Sequence, residues 1–563
     1  MNIHQFADSG NLLGVREELD RGVPVDSRDG RDRTALAYAA RSSRANEEML
    51  SLLISAGADV NAPVENWERF ALDEAACSGS FAKVNCLLNA GADVNRLARS
   101  DYTALIHTVY ALQQDATLVP MVDLLVKRGA VIDCQSDYGE SPLSVASRST
   151  RFDLVKYLLS AGADPSPLGW TPLMQATALG SCDDVAWALS DPKHIDEADR
   201  CSRTALHLAV LIGDVEKAAL LHDQGASLNQ GDRSGETALM MAANNGRREM
   251  TQWLIERGAD IEALEEVGNT ALIFASRSGQ TECVQLLLQA GADRTRRNSY
   301  GDTAKSLAAS EPIIRLLTKA GEDLSDITTE MKRKLIGLPP TGSIVASEAE
   351  YRAGRRRRFG RMSPEVMSVP FWEAMIRAGV GAYAARRQFG DEKHLHEPVW
   401  CFNRYGTSFT ELPDGRFVEI GGEHEDWYDA DFCIYNDVVI HDGAGGIQIL
   451  GYPQDVLPPT DFHTATLVDK AIYIIGGLGY QGSRKFGTTP IFQLDCRTWK
   501  IKAVESRGDN PGWIHKHMAW FDGSQGIVIS EGTISQKVDG EEQLTENKER
   551  FVLQLAEMSW SRR

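Results

Sequence analysis

The chain has 563 residues, 43% of them hydrophobic and 25% charged, the balance of a water-soluble globular protein with material for several cores. Its formal charge is −20 and its pI is near 5.1, which argues against a chain whose main task is coating nucleic acid or an anionic membrane. The acidity is uneven: residues 1–325 carry 46 acidic and 31 basic side chains, residues 326–395 carry 8 and 13, and residues 396–563 carry 25 and 15.

The nine cysteines form no C-x-x-C pair and are odd in number, so they outline neither a zinc site nor a disulfide framework. Most of them read as small buried apolar residues of a reducing compartment. The N-terminus MNIHQFADSG lacks the basic start and apolar run of a signal peptide, and no stretch nears the roughly 18–20 apolar residues of a membrane span. A cytoplasmic location is therefore expected.

Self-similarity dominates residues 1–325. The strings T-A-L or T-P-L recur at Thr34, Thr103, Thr171, Thr204, Thr237 and Thr270, with variants at Ser141 and Thr303. From Thr171 onward the step is 33 residues, and G-A-D closes units at Gly57, Gly91, Gly162, Gly258 and Gly291. Each element has a physical task. Thr caps a first helix with its hydroxyl, and the following Ala and Leu face the neighbouring unit. Runs such as Val284–Leu288 bury one side of a second helix. Gly then takes the left-handed conformation that ends that helix, and Asp opens an exposed turn. One such unit cannot bury both faces of its helix pair, whereas stacked units can.

These motifs resemble the ankyrin repeat, and Thr204-Ala-Leu-His-Leu-Ala209 is similar to the family's T-P-L-H-x-A. The resemblance implies an all-α solenoid of about ten units over residues 1–325, from a degenerate first unit at residues 2–22 to a capping unit that starts near Thr303 and carries Lys305 in place of Leu. His207 is expected to bond turn backbone within its unit. The 38 residues from Gly91 to Gly129 predict a longer inter-helix loop over Ala111–Pro120. The shortened turn Pro165–Trp170 and the replacement of G-A-D by Asp191-Pro-Lys-His-Ile195 predict irregularity over residues 165–200. The resemblance also implies protein binding through hairpin tips and the concave face of the first helices. The candidates there are Arg28, Arg31, Trp67, Arg69, Tyr102, Tyr138, Trp170, Arg200, Arg233 and Tyr300, residue types enriched at interface hot spots.

Residues 326–395 read as a basic, partly helical connector. Leu338–Ser343 is a linker. Arg352, Arg355, Arg356, Arg357, Arg358 and Arg361 place six arginines in ten positions. They are expected to pair with the acidic segments on either side or to stay solvated, ahead of a nuclear-import-like patch or phosphate contact in nucleic acid. Pro364–Gly390 is expected to be helical, with Phe371, Trp372, Met375 and Ile376 in an apolar stripe that braces the neighbouring domains.

From residue 396 short strands replace the helical period. Gly421-Gly422, Gly476-Gly477 and Glu531-Gly532 follow apolar strands at intervals of 55 residues. Trp499 falls in the last strand of the second unit. The pattern resembles kelch repeats, which implies an all-β module of about three propeller blades over residues 396–563. Ankyrin arrays with such a module also occur in bacterial proteins without an assigned activity, to which the chain is similar. Three blades leave open sheet edges. Cover by the Trp372 helix is the first expectation, dimerisation the second.

The loop Glu423–Asp431 holds five carboxylates, a histidine and two aromatics in nine residues. His424, Glu425, Asp426 and His463 are candidate metal ligands, set against a simply solvated loop. No Walker loop, H-E-x-x-H, G-x-S-x-G or kinase motif is present, and no cofactor is expected. The whole reads as a non-enzymatic scaffold or adaptor, monomeric or homodimeric, for a basic protein partner, without membrane or nucleic-acid contact. The alternatives are a metal-binding or enzymatic C-terminal module targeted by the ankyrin arm, an immunity-type inhibitor of a toxin, and nucleic-acid contact through the arginine run.

Overall fold

The computed structural model describes residues 2–64, 69–112, 115–190, 195–318, 323–391, 397–424, 432–524 and 526–563. The chain divides into two compact units, residues 1–271 and 272–563, the division falling within the helix Ala271–Arg277.

The first unit consists of antiparallel helix pairs. After an initial pair, Ile3–Ser9 and Leu12–Asp20, the first helices are Ala35–Arg41, Ala71–Cys77, Ala104–Ala111, Pro142–Arg148, Pro172–Leu179, Ala205–Ile212 and Ala238–Asn244. The second helices are Glu47–Ser55, Phe81–Asn89, Asp115–Lys127, Phe152–Ser160, Cys182–Ala188, Val215–Asp223 and Arg248–Glu256. The caps form as expected: Thr34, Thr103, Ser141, Thr171, Thr204 and Thr237 each accept the N–H three residues on. In the third pair Phe70 stands where Thr would and makes no side-chain cap bond; Asp73 instead accepts the Phe70 N–H at 2.7 Å. Gly57, Gly91, Gly129, Gly162, Gly225 and Gly258 all have φ between 86° and 98°, the left-handed stop that L-residues resist.

Successive units are also laced by a ladder that the sequence motif does not announce. The Asp59 N–H donates to the Asp26 carboxylate, the Asp93 N–H to Asn61 Oδ1, the Val131 N–H to Asn95 Oδ1 and the Asp260 N–H to Asn229 Oδ1. Buried Lys83 donates to the Ala39, Ala40 and Ser42 carbonyls, and Lys217 to those of Thr177 and Gly180. Each ammonium thus answers acceptors that a helix C-terminus leaves open. The apolar core is formed by the paired faces, with Leu36, Leu50, Leu53, Val84, Leu87, Leu105, Leu125 and Leu158 fully buried.

One expectation is corrected. The extra length between Gly91 and Gly129 goes mostly into the helix Asp115–Lys127, which has 13 residues and contains Pro120. Pro120 lies in its second turn, where it has no N–H to offer the Ala116 carbonyl. Over Pro165–Trp170 the chain forms the short 3-10 turn Ser166–Leu168, closed by Gly169 at φ 64°.

The second unit begins with ankyrin-pattern helices and ends in β structure. Thr281–Gln289 and Glu311–Leu317 are helical, whereas the segment after Thr303 makes only turns. In this segment Lys305 stands where Leu is usual, and its ammonium donates to the Asp323 carbonyl and pairs with Asp326 at 2.9 Å. The connector holds helices Thr329–Leu335, Glu348–Gly354, Pro370–Ala378 and Ala382–Phe389. Its expected helix over 364–369 is absent, because Glu365–Val366 pairs as a strand.

The β-rich region has three four-stranded antiparallel meanders. The first is β1 (Ser408–Glu411), β2 (Phe417–Ile420), β3 (Val438–His441) and β4 (Ile447–Gly451). The second is β5 (Thr464–Val468), β6 (Ala471–Ile475), β7 (Ile491–Asp495) and β8 (Ile501–Ala503). The third is β9 (Met518–Phe521), β10 (Gly526–Ser530), β11 (Phe551–Gln554) and β12 (Ser559–Arg562), with a hairpin, Thr533–Val538 and Glu541–Glu546, inserted between β10 and β11. The first strands neighbour one another. The Ser408 hydroxyl bonds His463 Nε2 and the Thr464 hydroxyl bonds His517 Nε2, each at 2.9 Å.

The edges of the first meander are covered by backbone rather than by the Trp372 helix. Glu365–Val366 pairs with β4. On β1, the Leu324 N–H donates to the Phe409 carbonyl at 2.7 Å, and the Asp323 carboxylate accepts the Phe409 N–H at 2.9 Å. Trp372 is instead fully buried, stacked on Trp400 at 4.7 Å, with its indole N–H on the Gly354 carbonyl.

The glycine pairs serve the joints between meanders. A Cβ on Gly421 would collide with the Thr460 carbonyl, and one on Gly476 with the Ile514 carbonyl; these carbonyls accept the N–H of Gly422 and of Gly477. Glu531 takes the equivalent place in the third meander, where at φ 59° it holds a side chain in the left-handed region that glycine fills in the other two. Its carboxylate lies 3.6 Å from Arg297 of the last ankyrin-pattern turn, an exposed pair of small energetic weight. Glu531→Gly is therefore expected to leave stability unchanged or raise it by up to about 1 kcal/mol, since it relieves the left-handed backbone. Urea unfolding of the full chain checks this, and a loss of more than that amount would contradict it.

Candidate functional site

The hairpin tips that precede the first helices are rigid because a polar side chain five residues before the capping position gathers their backbone. Asp29 accepts the N–H of Arg31 and of Arg33, Asp199 that of Cys201 and of Arg203, and Asp232 that of Ser234 and of Glu236. In the second unit Asn298 does the same for Tyr300 and Asp302. Such turns display side chains at little further ordering cost.

The expected tip residues fall into two groups. Arg28 is held in its own turn by Asp32 at 3.1 Å. The Tyr102 hydroxyl donates to Glu140, and its ring stacks on His107 at 5.2 Å. Trp170 is half-buried, with its indole N–H on Asp199 and its ring against Phe152. Arg69 is half-buried and lies 3.8 Å from Glu74. By contrast Arg31, Arg200 and Arg233 are exposed, Tyr138 is 74% exposed and Tyr300 79%. Arg233 reaches across to the Arg200 carbonyl at 2.9 Å. Trp67 lies outside the described residues.

Between the second and third helix pairs lies a cavity of about 500 Å³. Among the described residues it is lined by Arg33, Arg41, Arg69, Glu74, Cys77 and Ser78, with Val64 at its side. Arg33 sits over the Tyr38 ring at 5.7 Å, and the Tyr38 hydroxyl donates to Asp29 at 2.8 Å. Arg41 ends the helix Ala35–Arg41, and Glu74 is buried in the helix Ala71–Cys77. Burial raises the Cys77 thiol to about 12, so it is no nucleophile. Burial, helped by the Arg69 charge, lowers His107 to about 4 and keeps it neutral. Asp73, buried behind the lining, is raised by burial to about 7. Arg33 and Arg41 were not among the sequence candidates; their only sequence signal is that they bracket one first helix.

The motif and the structure agree with a family comparison. The sequence model for ankyrin repeats (3 copies) matches residues 3–98, 108–199, 173–265 and 259–328, more than half of the chain. The chain belongs to the ankyrin-repeat family. Relatives include the ankyrin repeat protein nuc-2 of Neurospora crassa, 27% identical over 227 residues, or 39% of this chain and 20% of that protein. The ankyrin repeat and KH domain-containing protein mask-1 of Caenorhabditis elegans is 34% identical over 35% of this chain and 8% of its own length. The glycerophosphocholine phosphodiesterase gde1 of Schizosaccharomyces pombe is 38% identical over 88 residues. The chain thus spans at most a fifth of these relatives' lengths. The family match ends at residue 328. Neither the kelch resemblance nor the likeness to bacterial proteins gains support from these comparisons.

As an ankyrin-repeat chain it also shows the expected role of His207, whose Nδ1 accepts the Thr204 N–H at 3.0 Å. No helix among the described residues is long and apolar enough to cross a membrane. Five arginines of the basic run have acceptors inside the chain. Arg355 pairs with Asp391 and Glu397, Arg356 with Glu397 and Arg352 with Glu348. Arg357 donates to the Ile434 carbonyl and the Tyr480 hydroxyl, and Arg358 to the Ala353 carbonyl. Arg361 is exposed.

Of the candidate metal ligands, Glu425 and Asp426 lie outside the described residues. His424 is buried with Nδ1 3.2 Å from the Cys401 thiol, and His463 is engaged by Ser408. Among the described residues no group of three His, Cys, Asp or Glu side chains is placed to hold a metal ion. The sequence reading also missed a buried network in the first meander. Arg404 forms a two-pronged ion pair with Asp437 and lies 3.5 Å from the Tyr435 ring centre.

Proposed function

We propose that this chain is a non-enzymatic scaffold or adaptor whose ankyrin arm binds a protein partner through its hairpin tips and first-helix face. The observation that carries this reading is Tyr138, a large aromatic side chain left in solvent on a tip whose backbone Ser136 already locks by hydrogen bonds to Gly139 and Glu140. An ordered aromatic without an internal role is the form an interface anchor takes before it is covered. The acidity of residues 1–325 favours a partner with a basic surface, drawn in by a salt-sensitive field.

The organisation we propose is an arm over 1–325, a connector over 326–395 and a three-bladed kelch-like module over 396–563. The 55-residue spacing and the three four-stranded meanders support the last of these. All nine cysteines are free, which supports a cytoplasmic setting.

Affinity capture with the full chain, compared with Tyr138→Ala and with Arg200→Glu, tests the scaffold reading. Partners retained by the wild type are expected to be lost or reduced by both variants and kept by Tyr405→Ala in the β-rich region. An identical set of captured proteins from all four chains would refute binding through the tips.

A further inference from the structure

The cavity between the second and third helix pairs gathers arginines within an arm that is acidic as a whole. Among its described lining residues three guanidinium groups meet one carboxylate, Glu74. The Glu74–Arg69 separation of 3.8 Å is too long for a direct hydrogen bond, so Arg69 keeps donor capacity while its side chain stays 41% exposed. Arg41 engages no hydrogen bond or ion pair among the described residues, and it ends a helix whose other side chains are mostly buried. Guanidinium groups present five N–H donors each in a fixed fork and lose little hydration when they meet oxyanions. The Asp29 turn fixes the backbone of Arg33, and the Tyr38 ring supports its guanidinium, so one wall is preorganised.

The size and charge of the site select the ligand. About 500 Å³ lies within the range of small-molecule sites and far exceeds what one carboxylate side chain needs. A polyanion such as nucleic acid would bring its remaining phosphates against a chain of net charge −20. A single phosphate monoester satisfies both limits: two charges, three acceptor oxygens and one small substituent.

We propose that this cavity binds a phosphate monoester in its dianionic form, held by Arg41 and Arg69 with Arg33 contributing to the wall. This does not depend on the scaffold reading, because a free ligand can fill the cavity whether or not a protein docks on the tips.

Isothermal titration of the full chain with inorganic phosphate, O-phosphoserine, a phosphoserine peptide and sulfate tests it. Phosphate and phosphoserine are expected to bind, and to tighten as pH rises through the loss of the second proton, at about 6 for phosphoserine and about one unit higher for inorganic phosphate. Sulfate, already a dianion, lacks that rise. Arg41→Gln is expected to weaken binding roughly tenfold or more, the worth of a charge-assisted hydrogen bond, with the unliganded melting temperature unchanged. Arg69→Gln should weaken binding independently. Tighter binding of the peptide than of phosphoserine assigns the phosphate to a modified protein, and the reverse assigns it to a free small molecule. Absence of binding at millimolar phosphate, or equal binding by wild type and Arg41→Gln, would overturn the proposal.

Discussion

Replacing Arg404 with leucine is expected to cost about 3–5 kcal/mol, enough to unfold the first meander or leave it marginal. The Arg404 side chain is buried, with its Nε–H on the Cys401 carbonyl at 2.7 Å and one Nη on the Gly421 carbonyl at 3.0 Å. Its guanidinium clasps Asp437, whose Oδ2 also accepts the Trp400 indole N–H at 2.9 Å. Burial opposes the Arg404 charge, and the Asp437 carboxylate more than offsets that, so its pKa stands above the ordinary value. Removing the cation strands the carboxylate in a dry site with the indole as its remaining side-chain donor. The penalty comes from that stranded charge rather than from the lost bonds alone. Adding Asp437→Asn to Arg404→Leu is therefore expected to recover about 2 kcal/mol, because a neutral amide tolerates the site. Amide hydrogen exchange in β2 and β3 of the full chain reads both effects. If Arg404→Leu lay within about 1 kcal/mol of wild type, the pair would not be a keystone.

The same network shows which parts of this protein can be read from sequence. The ankyrin arm is legible because its contacts are local and repeated. Thr204, Leu206 and Gly258 each do in one unit what their equivalents do in the next, so periodicity reports structure directly. Arg404 and Asp437 are 33 positions apart in a region without helical phasing, and nothing in their neighbourhoods marks them as partners. The tip candidates divide into engaged and exposed side chains for the same reason. Tyr102 is taken by Glu140 and Trp170 by Asp199, residues of the following unit, whereas Tyr138 finds no such partner in solvent. Departures from consensus proved more informative than matches. Lys305 reaches Asp323 and Asp326, Asp73 accepts the N–H of Phe70 where a threonine cap is missing, and Glu531 holds a left-handed place that glycine fills in the other two meanders. The connector was the least legible part, because its strand Glu365–Val366 is defined by β4 rather than by its own two residues.

The β-rich region is expected to lose stability in mild acid through His463 and His517. Both are buried at the joints between first strands, and burial lowers each to about 3. For His517 the neighbouring His463 and His515 add to the effect. An unfolded histidine titrates near 6.5, so the unfolded chain takes up protons first as pH falls. The neutral imidazoles therefore contribute full stability above about pH 6.5, and that contribution is lost progressively as pH falls toward 3. At about pH 5 the loss is on the order of 2 kcal/mol for each histidine. Asp323 works in the opposite direction. Burial raises it to about 6, so its ionisation costs stability above its unfolded value, and acid relieves that cost. His515, lowered by burial to about 4, adds to the loss, and Asp461, raised by burial, offsets part of it, so three histidines against two carboxyls leave a net loss. Glutamine at both positions can still bond the Ser408 and Thr464 hydroxyls but cannot take up a proton. The doubly substituted chain is therefore expected to be somewhat less stable at neutral pH and flatter in acid, retaining amide protection in β5 and β9 that the wild type gives up between pH 7 and 5. Hydrogen exchange at both pH values, corrected for the intrinsic rate, measures the difference. Parallel losses in the two chains would place the acid sensitivity elsewhere, whereas a flat profile in the variant would tie the meander joints to the protonation of these two rings.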